Sequence, residues 1–276
     1  MTASEQRSRI AELQSDFSVS ERRACKVTGF FRSTVRYRAK PETPLNKYLR
    51  ERIRKLAKQR TRWGYRRFHA VLRNEGNAVN RKRIRRIYLQ ERLQVHMRKR
   101  NRLVVIRPAK PLIEPKGEQW AMDFMSVRLM TGKYIRLLTM IDIFTRECLA
   151  IEVRRTMPSH FVVSVLNEIF AFKKKPKSIR VDNGPEYRSE LLTKWAASNN
   201  VELDFIEPGK PHQNGHCESF NGRVRDECLN QHWFQSIAEA QEILDSWRYD
   251  YNNLRPHSSL NYMTPAMFQK SLPRVN

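Results

Sequence analysis

The sequence predicts an α/β fold, a mixed sheet with helices on both faces, preceded by basic helical modules of the helix-turn-helix type. Three observations predict it. Charge is segregated: of a net +25 over 276 residues, residues 1–110 carry +24 and residues 111–276 carry +1. Apolar residues recur at helical spacing up to Pro108, Pro111 and Pro115, then change to strand-like runs near Glu118. Beyond that change, three strand-like segments follow one another before helices and strands alternate, the pattern of a sheet that starts antiparallel and continues through crossovers.

Residues 1–42 make the first module. Within it, residues 19–38 read as a short helix, a turn at Gly29 and a second helix, with small Cys25 and apolar Val35 suited to the packing face. The second helix would expose Arg32, Ser33, Thr34, Arg36 and Arg38, residue types that such a motif brings to nucleic acid. Residues 43–104 make a second module. Its segment 45–60 is helical in composition, Arg62-Trp63-Gly64-Tyr65-Arg66-Arg67 breaks the pattern, and another helix runs through Leu72. Asn80 is placed to cap a third helix, with Ile84, Ile87 and Tyr88 on its apolar side and Arg81, Lys82, Arg85 and Arg86 opposite. Five of the six residues 81–86 are Lys or Arg, a density that repels itself unless a polyanion neutralises it. Phosphate contacts there would release condensed counterions. Arg66 and Arg67 join the residues expected to contact DNA.

A Pro-rich linker, 105–117, leads to the α/β core over 118–272. Strands are expected at 119–129, 133–144 and 147–154, followed by a helix at 159–171, a strand at 178–182, a helix at 190–198 and a strand at 202–206. A helix holding Glu218 follows a Pro-Gly-Lys-Pro loop. The final helix begins at Ser236, with Ile237, Ala240, Ile243, Leu244, Trp247 and Tyr251 at core spacing. The basic run at 173–177 stands where a helix C-terminus favours cations, and DNA contact is its other reading.

No apolar run is long enough to span a bilayer, and the N-terminus lacks an apolar signal core. A soluble, intracellular protein is expected. Cys25, Cys148, Cys217 and Cys228 lack CxxC spacing, so free thiols are expected. His212, His216, Cys217 and Cys228 cluster in sequence, but their order is not that of a zinc finger.

Three acids carry the chemistry. Asp123 sits mid-strand in Gln119-Trp120-Ala121-Met122-Asp123-Phe124, Asp182 closes a strand in Ile179-Arg180-Val181-Asp182-Asn183-Gly184, and Glu218 rides a helix with 35 residues between it and Asp182. Magnesium takes a few carboxylates plus substrate phosphate oxygens, and two such ions can clamp the attacking and leaving oxygens of an in-line displacement. Asp123 is the natural bridge between two ions, with Asp182 and Glu218 as the outer ligands. On the Glu218 helix, Asn214, Asn221 and Arg225 fall at i−4, i+3 and i+7, a polar stripe expected to face DNA, with Arg225 holding phosphate. Asp142 and Glu186 are minor candidates, better suited to capping a turn or pairing with Arg146 or Arg188.

The set Trp-x-x-Asp-Phe, Val-Asp-Asn-Gly-Pro-Glu-Tyr and His-Gln-Asn-Gly-His-x-Glu-Ser-Phe-Asn resembles the DDE transposases of bacterial insertion sequences and the related retroviral integrases. Within that superfamily it is most similar to the second-frame product of two-frame insertion sequences. Residues 62–67, together with Tyr251-Asn252-Asn253-Leu254-Arg255-Pro256-His257-Ser258-Ser259-Leu260 and Thr264-Pro265, resemble two further family signatures, so the likeness covers nearly the whole chain. It implies a ribonuclease-H-like core that uses two Mg2+ ions, with Mn2+ able to substitute, to cut at element ends and join the freed 3′-hydroxyl to another DNA phosphate. Asp123, Asp182 and Glu218 carry over as metal ligands. The implied partners are terminal inverted repeats and target DNA, further copies of the chain on DNA, and an upstream-frame product as fusion or partner. The integrases' N-terminal His/Cys zinc module does not carry over, because residues 1–60 contain no histidine and one cysteine. The alternative function is a non-catalytic DNA-binding regulator of transposition, which has no use for three acids beside a polyanion.

Overall fold

The computed structural model describes residues 1–38, 41–95, 119–207 and 214–272. The expected linker and His212 lie outside the described residues. The chain divides into two compact units, Met1–Leu49 and Arg50–Asn276.

In the first unit, α1 (Ala3–Phe17) starts on a reciprocal cap in which the Thr2 hydroxyl accepts from the Glu5 amide and the Glu5 carboxylate accepts from the Thr2 amide. Helix α2 (Glu21–Thr28) is capped by Ser20 and stopped by Gly29, whose φ of 74° is one that a side chain would oppose. Helix α3 (Arg32–Arg36) completes the expected helix, turn and helix. Ile10, Ala24 and Cys25 form the small core, with Leu13, Val19, Phe30 and Val35 packed on it. Helix α1 is an addition to the sequence reading, since Ile10 and Leu13 make an apolar stripe too thin to stand out as a period.

Helix α4 (Pro44–Gln59) is followed by α5 (Tyr65–Asn74) and α6 (Arg81–Gln90). Asn80 caps α6 as expected, its side-chain oxygen accepting from the Lys82 amide at 2.8 Å. Ile84, Ile87 and Tyr88 turn inward with Phe68 and Leu72. Glu91 draws in Arg50 and Arg54, and Glu75 draws in Arg52, so several of the many cations are held by ion pairs.

The sheet is built from β1 (Gln119–Arg128), β2 (Tyr134–Asp142), β3 (Cys148–Arg154), β4 (Ser178–Val181) and β5 (Glu202–Phe205), in the order β3-β2-β1-β4-β5. The first three strands pair antiparallel, and β4 and β5 add in parallel. Helices α7 (Ser159–Phe172) and α8 (Glu190–Ser198) supply the crossovers, and α9 (Gly215–Glu227) and α10 (Ile237–Asn253) follow. Strand alternation divides the core in two. Trp120 and Met122 of β1 pack with Leu166 of α7 and Leu192 and Trp195 of α8, while Ala121 and Met125 pack with Phe220 of α9 and Leu244 of α10. Beyond α10, the expected last helix, there is one more: α11 (Pro265–Ser271), capped by the Thr264 hydroxyl with proline at its first turn.

Two motifs far apart in sequence meet at Glu227, the last residue of α9. Arg255 holds it with two bonds, Nε to one carboxylate oxygen at 2.7 Å and Nη2 to the other at 2.6 Å, and Arg67 approaches at 3.4 Å. Arg255 is only 3% exposed. Trp63 bonds the same carboxylate. The 62–67 segment is therefore fastened to the helix that carries Glu218.

Candidate active site

Strand β1 is central, and Asp123 lies near its middle. Ala121 pairs with Arg180 across the parallel β1–β4 junction, so Asp123 and Asp182 stand two residues further along each chain, on the same face of the sheet. That face is the one covered by α9. Asp123 Oδ2 accepts from the Asn221 side-chain amide at 2.7 Å, and Oδ1 accepts from the Phe124 amide at 2.8 Å. Asn221 Oδ1 accepts in turn from the Thr139 hydroxyl at 2.8 Å. The chain Thr139, Asn221, Asp123 fixes the carboxylate from a buried side, Thr139 on β2 being fully enclosed.

Asp182 Oδ1 accepts from the Gly184 amide at 2.9 Å, which turns the chain off β4. A Cβ at Gly184 would stand 2.9 Å from that oxygen and 3.0 Å from Glu186 Oε2, so only glycine fits without displacing the acid. Glu218 is exposed on the first turn of α9, one helical turn before Asn221. Burial raises Asp123 to about 6, and repulsion from Asp182 and Glu218 adds to it, while the Phe124 amide and Asn221 pull the other way. Asp123, mid-way along the central strand, thus feels the charges of both Asp182 and Glu218. Among the described residues, no three His, Cys, Asp or Glu side chains are close enough to hold a metal ion. Among the described residues none of the three acids has an ion-pair partner, and their hard carboxylate oxygens are a donor set that fits a divalent cation.

Beneath Asp123, Phe124 stacks on Tyr187 with ring centres 5.0 Å apart, and the Arg136 guanidinium lies over Phe124 at 4.6 Å. Arg136 also pairs with Glu186, so Glu186 is held from β2 and not by Arg188 or Arg146. Sequence reasoning does not single out Thr139, Arg136 or Tyr187. Thr139 and Arg136 lie on one strand within its apolar run, and nothing in that run announces which neighbours they meet. Asp142 caps a turn as expected, accepting from the Phe144 and Thr145 amides.

The polar stripe on α9 divides. Asn214 and Asn221 are buried, and of the three only Arg225 is exposed. The physical reason is the helix's seat on the sheet: the face that carries Asn221 also carries Cys217, Phe220 and Val224, which are core. Arg67 likewise turns in toward Glu227, and burial together with Arg255 lowers it to about 10. Arg32 and Arg36 are exposed, both paired with Glu21. Arg66, Arg81, Lys82, Arg85 and Arg86 are exposed. Lys173, first of the basic run, pairs with Glu147 at 2.7 Å.

Family comparison assigns residues 114–211 and 199–265 to integrase core domains and residues 44–101 to an HTH-like domain. A protein of insertion element IS407 from Burkholderia multivorans is 42% identical over 260 residues, covering 94% of each chain. The InsK protein of insertion sequence IS150 from Escherichia coli, which carries a transposase name, is 25% identical over 88% of this chain and 92% of its own length. Among solved structures, the simian T-cell lymphotropic virus intasome in complex with PP2A regulatory subunit B56 gamma matches with a TM-score of 0.50 at 18% identity, covering 80% of this chain and 75% of that one. That likeness is one of fold.

Proposed function

Because this chain belongs to the insertion-element transposases that carry an integrase core, we propose that Asp123, Asp182 and Glu218 are its catalytic carboxylates and that they hold two Mg2+ ions, for which Mn2+ can substitute. Its function is DNA transposition, and its reaction class is polynucleotidyl transfer. The observation that carries the assignment of residues is the placement of Asp123 near the middle of the central strand, on the sheet face that α9 covers, with Asp182 two residues beyond the Ala121–Arg180 pair on that same face and Glu218 one turn before Asn221, which bonds Asp123. A protein that only bound DNA would be weakened by such a cluster beside a polyanion.

When bound, magnesium supplies Lewis-acid polarisation of the scissile phosphate and stabilises the charge on the attacking and leaving oxygens. The protein's part is placement. Asn221 and Thr139 orient Asp123 from the buried side, the Gly184 turn aims Asp182, and α9 brings Glu218 from the opposite wall. Arg225, exposed two turns after Glu218, is suited to hold the DNA backbone beside the acids. Arg32, Arg36, Arg66, Arg81, Lys82, Arg85 and Arg86 are proposed as phosphate contacts on the helical modules. Asn214, Asn221 and Arg67 are not, since each is turned into the protein. Assembly on DNA with further copies, and with an upstream-frame product as fusion or partner, completes the reading.

The test is strand joining. A duplex carrying an element end, labelled at its 3′-end, should appear covalently in a second duplex in the presence of Mg2+. Asp182→Asn should bind the same duplex and join nothing. Equal joining by both proteins would overturn the assignment.

A further inference from the structure

Stability alone does not select arginine at position 146. Arg146 lies in the turn between β2 and β3, where its amide donates to the Asp142 carbonyl at 2.9 Å and Asp142 Oδ1 accepts from the Phe144 and Thr145 amides. Its φ of 62° is disfavoured for any residue with a side chain. The guanidinium is half-buried, and burial pushes its pKa below the ordinary value, with Arg223 acting the same way. Among the described residues no ion pair joins it to an acid. Instead its Nη1 donates to Nδ1 of His216, in the first turn of α9, where the helix dipole disfavours a cation. Glycine would suit the turn and an uncharged side chain the burial.

We infer that Arg146 is a positioning residue for Glu218, acting through His216, an inference that rests on the catalytic reading of the three acids and deepens it. Cys217, Phe220 and Val224 seat α9 on the sheet, but apolar packing is not directional and leaves the helix room to roll and pivot. Hydrogen bonds set its line. One tie is at Asn221, which accepts from the Thr139 hydroxyl of β2 and donates to Asp123. The second is at His216, held from the turn that ends β2, and Glu218 lies on α9 between the two. A second tie is needed at that end, because Asn214 at the N-cap makes no side-chain capping bond. Asp123 and Thr139 face each other across the β1–β2 pair, so both ties refer Glu218 to the strands that hold Asp123. The arginine fork suits this task, being planar and preorganised where a lysine ammonium is a flexible point charge. Arginine can only donate, so His216 Nδ1 accepts and the ring proton is on Nε2.

The experiment uses the full chain with Mn2+ as the probe, bound ion being read from the loss of the free-ion EPR signal, and cleavage of an element-end duplex is followed beside it. Arg146→Gly, which relieves the turn, should bind Mn2+ about tenfold more weakly and cleave about tenfold more slowly, the scale on which a residue that orients a metal ligand acts. His216→Ala breaks the same contact from the other side and should do likewise, so the result does not depend on how the turn tolerates glycine. Arg146→Lys keeps a donor and should fall between. Amide exchange should quicken at residues 215–218 and not at 224–227. Glu218→Gln should weaken Mn2+ binding by itself, and adding Arg146→Gly should weaken it no further, since the arginine acts only through that acid. A multiplied loss in the double variant overturns the inference, as does unchanged Mn2+ affinity in Arg146→Gly and His216→Ala, or a loss that only follows the unfolded fraction. Duplex binding in chelator should be unchanged, and a loss there would make Arg146 a DNA contact instead. Failure of the catalytic reading looks different: Asp182→Asn would then bind Mn2+ and cleave as the wild type does.

Discussion

Asp123→Asn will abolish metal-dependent cleavage, lowering the rate by about a thousandfold or more, and will at the same time stabilise the fold at neutral pH in the absence of divalent cations. The stability half follows from linkage. Burial, with Asp182 and Glu218 nearby, raises the Asp123 carboxyl from 3.8 to about 6 in the folded protein. A carboxylate whose folded value is raised costs nothing well below its unfolded value of 3.8, where it is protonated in both states, and its cost grows as pH rises toward 6. Each tenfold rise in proton affinity is worth about 1.4 kcal/mol, which sets an upper bound of about 3 kcal/mol here. Asparagine returns only part of that, because its single oxygen cannot accept from both the Phe124 amide and Asn221. A net gain of about 1–2 kcal/mol at pH 7.5, shrinking as pH falls and vanishing only well below the unfolded value of 3.8, is expected from thermal or denaturant unfolding with chelator present. Added Mg2+ should stabilise the wild type and leave the variant unmoved. A variant less stable at pH 7.5 than at pH 4, relative to wild type, would show that the acids do not repel one another as described.

Arg255→Ala should be the most damaging single change outside the acidic site. It strips the buried Glu227 carboxylate of its two-bond partner and leaves Arg67, at 3.4 Å, as a poor substitute. Breaking a buried ion pair from one side costs about 3–5 kcal/mol, because the remaining charge has lost its compensation. Burial works to raise Glu227, and Arg255 and Arg67 more than offset it, so its net shift is downward. The stabilisation they give is present above the ordinary carboxylate range and fades as pH falls through the lowered value. The test is urea unfolding of Arg255→Ala, of Arg255→Lys and of the double variant Arg255→Met, Glu227→Gln. Lysine should fall between wild type and alanine, since it lacks the planar fork that engages both oxygens. The double variant should recover part of the loss, and no recovery would mean that Arg255 acts through packing against Tyr251 and not through charge. Because Glu227 ends the helix that carries Glu218 in its first turn, the same change should also slow cleavage among molecules that remain folded.

Much of the fold can be read along the chain. Strand-like apolar runs mark β1 to β3, Asn80 and Ser236 mark helix starts, and β4 and β5 are short strands in which apolar and polar residues alternate, each following a helix. Helix α11 does not stand out although Thr264-Pro265 is a helix start in its own right, because seven residues carry too little periodicity to register. The three proposed catalytic acids stand out in the sequence, each in a distinct local setting: mid-strand, strand end and helix.

Direction is what the chain cannot state. Asn221 and Arg225 look equivalent on a helical wheel, yet Asn221 lies beside Phe220 on the sheet-facing side and holds Asp123, while Arg225 is exposed. Arg66 and Arg67 are adjacent in one motif, yet Arg66 lines a basic cleft and Arg67 turns inward to Glu227, 160 positions away. Local sequence sets periodicity, caps and charge, which depend on near neighbours. It therefore marked most of the elements, the segregation of charge and the three candidate acids. Only tertiary packing decided which polar side chains are enclosed, because enclosure depends on what arrives from another element, and the free energy of a buried amide or ion pair is set by that distant partner.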